Sequence, residues 1–357
     1  MPTGEAARPF LERLDDATRQ FLLSAARPVS TTRGARLVRA GEAARGAYVL
    51  REGAAEASVV LPGGERLVVA KFGPGNLFGE MALFERGIAT ASVSAVSNLE
   101  GWFLDRDDFR ALAAQRTPEA RALRHALTLV LMEKLRAMNA KVLEAAAPED
   151  APVVKSHIAD PLAGVKRVKQ AAFDVAPFLP LLPVFEGFDE LEIALVLEAS
   201  RQLELRRGHG VFAVGQRAMA AFVVLRGAVE ILARREARER RMAVLGPGQI
   251  FGFMSLLEGG AHGSEARVRE NAILLEIPRE AFEALYGGAG AVSSAVHHAI
   301  QRSLLASLAQ TNRHLTRLIS LARLRGAKRE GDKLETALGG QIVAAPAPTP
   351  ASAVPAA

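Results

Sequence analysis

Residues 73–83 read Gly-Pro-Gly-Asn-Leu-Phe-Gly-Glu-Met-Ala-Leu, and a polar stretch behind them leads to Ala-Thr-Ala-Ser-Val at 89–93. A glycine-rich turn followed by a short helix-capable stretch presents backbone N–H groups that suit an anion. Glu80, directly beside that nest, would repel a phosphate yet accept hydrogen bonds from sugar hydroxyls. Together they suit a phosphorylated ribose held at both ends. The alternative is a tight turn carrying an exposed glutamate, and residues 73–93 by themselves leave both open.

The same block occurs twice, with a different chemistry the second time. FGEMAL at 78–83 becomes FGFMSL at 251–256, so Phe253 stands where the first copy has its carboxylate. Gly34, Gly41 and Gly53 recur as Gly208, Gly215 and Gly227, each displaced by 174 positions. Gly75, Phe78, Gly79 and Phe109 recur as Gly248, Phe251, Gly252 and Phe282, displaced by 173. Glycines at fixed spacing mark places where the backbone needs positive φ or no side chain. Two copies in register mean two copies of one fold.

The elements that would position these residues follow from the periodicity. An amphipathic helix is expected within 9–26, then short strands at Arg36–Arg39, Ala47–Arg51, Ala55–Leu61, Arg66–Phe72, Ala91–Ala95 and Gly101–Leu104. Pro62-Gly63-Gly64 reads as a tight hairpin turn. Helical spacing resumes at Asp107–Gln115 and runs long over Glu119–Ala146. Residues 147–176 contain Pro148, Pro152 and Pro161 and read as a linker. The second copy follows with a loop-then-helix at 179–199, strands from about Leu203 to Ile277, a short helix around Phe282 and a last long helix over Val292–Leu324. The tail from Ala344 is Pro/Ala-rich and reads as disordered. The expected domains are therefore 9–146, a linker at 147–176, 177–325, and a tail at 326–357.

The order G-x-x-x-x-x-x-G-E at 34–42, Y-V-L-x-x-G at 48–53, G-x-x-F-G-E-M-A-L at 75–83 and then A-S-V resembles the cyclic nucleotide-binding domain. That module occurs in catabolite-type regulators, kinase regulatory subunits and cyclic-nucleotide-gated channels. The resemblance covers about 10–146 and 177–325. It implies an α+β fold of two tandem β-rolls, jelly-roll-like, each with flanking N- and C-terminal helices. It further implies that Gly79 and Ala82 offer backbone N–H groups to a cyclic phosphate, that Glu80 binds the ribose 2′-hydroxyl and that Thr90 flanks the phosphate. Met81 and Ala91 fall on the same segments.

Departures from the family's pattern matter as much. The phosphate-binding arginine belongs one residue before Thr90, and this chain has Ala89 there. Arg86 is the nearest arginine and would need another backbone path. A charge-assisted hydrogen bond contributes roughly 1.5–3 kcal/mol, so its loss weakens binding on the order of 10–100-fold. The second copy carries Gly252, Phe253 and Ser255, with His262 in the arginine slot and Gly263 at the Thr90 position. A neutral imidazole anchors phosphate poorly, whereas a charged one could serve. Phe253 would fill the ribose site, which leaves any ligand competence to the first copy.

Composition excludes several classes. The 357 residues contain no Cys, which removes disulfides, thiolate catalysis and Cys-based metal sites. The remaining His are solitary or, at His297-His298, adjacent on a helix, so no metal spacing arises. No nucleophile elbow or Walker-type lysine loop is present, and the chain reads as non-enzymatic, without cofactor or metal. No run reaches the ~20 apolar residues of a membrane span. The start lacks the order of a secretory signal, so a cytoplasmic protein is expected. The formal charge is +6, and the densest basic run, 234–241, is interleaved with acids and reads as a solvated hairpin tip.

Neither the stretch between the copies nor the end after the second has room for a helix-turn-helix of some 60–70 residues. A DNA-binding regulator is therefore the disfavoured alternative. In the last long helix, Leu304, Leu308, Thr311, Leu315, Leu318 and Ala322 follow 4,3,4,3,4 spacing. Two readings stay open: a homodimer seam along 292–324, or a helix packing on its own roll. Asn139 and Asn312, displaced by 173, read as marks of common ancestry and not of ligand contact. The expected function is a regulatory sensor or adaptor whose partners are a cyclic mononucleotide and an unidentified protein. A ligand-free interaction module with both pockets vestigial is the alternative.

Overall fold

The computed structural model describes residues 8–60, 66–84, 88–145, 161–168, 176–235, 238–324 and 342–343. It forms two compact units. One comprises Met1–Glu12, Ala26–Arg106 and Ile319–Ala357; the other comprises Arg13–Ala25 and Asp107–Leu318.

In chain order the elements begin with helix α1 (Asp16–Ser24), after a 3-10 turn at Phe10–Arg13. Asp15 caps α1 by accepting the Thr18 N–H at 2.7 Å, which satisfies an otherwise orphaned donor. Then come β1 (Arg27–Thr31), β2 (Arg36–Val38), β3 (Gly46–Glu52), β4 (Ala55–Val60), β5 (Arg66–Phe72) and β6 (Leu77–Phe78). Helix α2 (Met81–Phe84), β7 (Ser92–Ala95), β8 (Leu99–Asp105), α3 (Arg106–Ala113) and α4 (Pro118–Ala145) complete the first repeat.

In the first unit one sheet runs β1-β8-β3-β6. The second runs β5-β4-β7-β2 and is completed by β16 (Ile342–Val343), which pairs with β5. Alternation along β3 and β4 sends Leu50, Ala55 and Ala57 inward with Phe78, Val93, Ala95 and Leu99 to form the core. Tyr48 stacks on Phe78 with ring centroids 5.2 Å apart. The hairpin turn expected at Pro62-Gly63-Gly64 and the tail from Ala344 lie outside the described residues, although β4 and β5 pair up to Val60–Arg66.

The second repeat continues with β9 (Arg167–Val168), α5 (Glu190–Glu198), β10 (Arg201–Leu205), β11 (Gly210–Phe212), β12 (Ala220–Arg235), β13 (Arg238–Leu245) and β14 (Ile250–Phe251). Helix α6 (Phe253–Leu257), β15 (Glu265–Pro278), α7 (Arg279–Gly287) and α8 (Ala291–Leu324) follow. The sheet order is β13-β12-β15-β10-β9, with β11 on β15 and β14 on β12. Strand pairing of β12 with β13 closes at Arg235–Arg238, so the basic run forms hairpin arms. Residues 161–168, expected as linker, instead join this unit, because Leu162 is buried in its core and β9 extends its sheet.

All ten repeated glycines have positive φ, between +76° and +88°. At Gly53 and Gly227 the reason is close approach as well: a Cβ would collide with the carbonyls of Asn98 and Asn271. Gly227 lies within the register shift between Arg226 and Ala228 of β12, and Gly53 directly follows the shift between Leu50 and Glu52 of β3, so each glycine serves an irregular stretch of strand.

Helix α4 and residues 291–318 of helix α8 belong to the second unit. Leu123, Leu127, Leu131 and Met132 of α4 are fully buried, as are Ile300, Leu304, Leu305 and Leu308 of α8. Gln301 donates to Thr128 Oγ1 at 3.0 Å and to the Arg124 carbonyl at 3.1 Å. Thr311 donates to Asn139 Oδ1 at 3.3 Å. Leu304 and Leu308 of the 4,3,4 seam are thus covered by the chain itself.

Candidate functional site

The first cassette is built on the step from β6 to α2. Gly79, with φ +79°, turns the chain, and a Cβ there would lie 2.9 Å from the Gly46 carbonyl oxygen. That turn sends Glu80 inward to 1% exposure. The reading of this segment as a bare turn with an exposed glutamate is corrected: the carboxylate is buried beside the turn. Ala82 is buried and its N–H donates to the Gly79 carbonyl at 3.0 Å, so an anion would share or displace that bond. Met81 is partly exposed.

Across the cassette exit, Ala89 is locked by backbone bonds in both directions. Its N–H donates to Glu42 O and its carbonyl accepts from Gly41, each at 2.9 Å. Thr90 is exposed and Ala91 half-buried. Arg86 lies outside the described residues. Arg106, not identified from the sequence, donates to the carbonyls of Ala82 and Ala44 and so ties the cassette helix to the preceding loop. Its counterpart Arg279 donates to the Ala218 carbonyl. The repeat displacement of 173 between these arginines was the available signal.

The second cassette has the same backbone and other contents. Gly252 caps α6 with φ +81°, and Phe253 and Ser255 are buried. His262 N–H donates to Gln216 O and its carbonyl accepts from Gly215, both at 2.8 Å. It therefore occupies the same backbone node as Ala89. Its ring stacks on Phe212, centroids 3.7 Å apart and 7° from parallel. Burial pushes its pKa down to about 4, so it is neutral at pH 7 and supplies no positive charge. Gly263 beside it is exposed. A cavity of about 500 Å³ remains here, lined by the cassette, the roll, α4 and α8. Asn139, read from sequence as a mark of ancestry alone, lines it.

The histidines are not all solitary in space. His125 Nδ1 lies 3.1 Å from Tyr286 Oη, and His297 stacks on the Tyr286 ring at 3.7 Å while its Nε2 lies 3.1 Å from the Tyr286 carbonyl oxygen. His297 is fully buried, which lowers its pKa to about 3, with the Arg124 charge adding to the effect. Burial likewise raises the Tyr286 pKa. These groups are neutral near pH 7 and pin α4, α7 and α8 together. Among the described residues no cluster of three or more His, Asp or Glu could hold a metal, and no helix is long and apolar enough to cross a membrane.

The family model described as "Cyclic nucleotide-binding domain" matches residues 28–116 and 202–287. The chain is 34% identical over 104 residues to the cyclic AMP receptor protein of Thermus thermophilus, a match covering 29% of this chain and 48% of that protein. It is 26% identical over 206 residues to the cAMP-dependent protein kinase regulatory subunit of Mycosarcoma maydis, covering 58% of this chain and 29% of the relative. The chain thus spans half or less of these curated relatives. Among solved structures, the regulatory domain of Toxoplasma gondii PKA with cAMP aligns at 19% identity and a TM-score of 0.30, over 78% of this chain and 88% of that one.

Proposed function

Residues 28–116 and 202–287 are two cyclic nucleotide-binding domains in tandem, and we propose that they act as a non-enzymatic regulatory sensor whose first domain takes a cyclic mononucleotide. One observation carries this reading: Glu80 is 1% exposed at the glycine turn that opens α2, whereas the second cassette has Phe253 there. A buried carboxylate suits hydroxyl donors of a ribose, because a low-dielectric site strengthens such bonds. Binding is weak, since Ala89 supplies no cation for the phosphate and Ala82 N–H already serves the turn.

Calorimetric titration of the full chain with cyclic AMP, cyclic GMP and cyclic dinucleotides tests the proposal. A saturable signal with a cyclic mononucleotide that Glu80→Ala removes supports it. Silence with all of them favours the second reading, an interaction module with vestigial pockets, which Ala89 itself favours. In either case the output surface is helical and the partner a protein. The half-buried Leu315 and Leu318 of α8 are the residues we assign to contact with a second copy, and light scattering would read the oligomeric state.

A further inference from the structure

The cavity at the second cassette has lost both ends of a nucleotide site without being filled. Phe253 replaces the carboxylate, yet about 500 Å³ stays open between the roll and helices α4 and α8. That lies within the range of about 300–1,000 Å³ typical for small-molecule sites. Its wall on the roll side is Phe212, Ile231, Met242, Phe251 and Phe253. On the helix side it offers neutral hydrogen-bonding groups, with Ser303 and Ser307 from α8 and Asn139 from α4.

Charge decides which molecule fits. Among the described lining residues Arg136 is the one charged side chain, and it is held in an ion pair with Glu258. His262 is stacked on Phe212 and buried. An anion entering would be desolvated with no free counter-charge, a large penalty. A neutral molecule with an apolar body faces no such penalty and gains by covering the wall.

We infer that the second domain binds an uncharged, largely apolar small molecule in this cavity, oriented by the serine and asparagine groups of its helical wall. Such a molecule touches α4 and α8 together, where Thr311 already bonds Asn139 at 3.3 Å, so occupancy is read by that helix pair. The inference goes beyond the first-domain reading and does not rest on it.

Nile red, a neutral apolar fluorophore, is the probe, titrated into the full chain. The expected result is saturable one-site binding that excess cyclic AMP does not displace. Ser307→Trp and Ala140→Trp intrude on the cavity from opposite helices, and each should weaken binding about tenfold or more. Ala140 is exposed on its helix, so that variant keeps the test usable if Ser307→Trp fails to fold. Binding that never saturates, that both tryptophan variants leave unchanged, or that cyclic AMP competes away would overturn the inference. Calorimetry with cyclic AMP on the same samples reads the first domain separately.

Discussion

The two cassettes share a backbone and differ in what they bury. Gly79 and Gly252 turn the chain at +79° and +81°, and Ala89 and His262 make the same pair of backbone bonds. Inside that common frame the first copy buries a carboxylate and the second buries a phenyl ring and a neutral imidazole. The lesson is that the cassette's shape is set by glycines and strand pairing, so its chemistry can change while the frame persists. A matching frame is evidence of fold, and only the buried side chains are evidence of ligand.

The largest expected difference is in stability. Phe253→Ala removes a ring that is 4% exposed and should cost about 3 kcal/mol. Glu80→Ala should cost less than that while removing nucleotide binding. Chemical denaturation of both variants measures this, and equal losses would dissolve the division into a structural and a functional cassette.

Next in size is the missing arginine. Ala89→Arg should raise affinity for a cyclic mononucleotide by about 1.5–3 kcal/mol. His262→Arg should gain nothing, because Phe253 still occupies the ribose end. Calorimetry decides it, and a gain at both positions would mean that Phe253 does not exclude the sugar.

Acid sharpens the contrast between the two units. Every histidine of the chain falls within Asp107–Leu318, the second unit. His297 has a folded pKa of about 3 against about 6.5 when unfolded. The unfolded state therefore binds the proton first, and stability falls as pH drops from about 6.5 toward 3. The loss from His297 alone should reach about 2 kcal/mol at pH 5. Denaturation of wild type and His297→Gln across this window checks it, and identical slopes would refute the assignment.

The smallest effect separates the two turns. A non-glycine residue in the left-handed region costs about 1–2 kcal/mol. Gly79→Ala also brings a Cβ to 2.9 Å from Gly46 O, against 3.1 Å from Ala220 O for Gly252→Ala. Both should destabilise, the first slightly more, as urea midpoints would record.

By itself the sequence determined the doubled fold and the change of residue types between the two cassettes. Positive-φ glycines, short alternating strands and the change from FGEMAL to FGFMSL are local facts, written in neighbouring residues, and the structure keeps them at the same places. Tertiary structure alone decided that Glu80 is buried, that His262 is stacked and uncharged, and that a cavity survives beside Phe253. It also decided that His125 and His297 meet at Tyr286, and that 161–168 joins a sheet and core. Each of these depends on atoms far apart in the chain: burial and proton affinity are sums over whatever neighbours the fold brings, and no spacing rule within one segment contains them. The arginines at 106 and 279 stand between the two cases. Their repeat was visible in the chain, but their grip on the carbonyls of Ala44 and Ala218 needed the strands to close first.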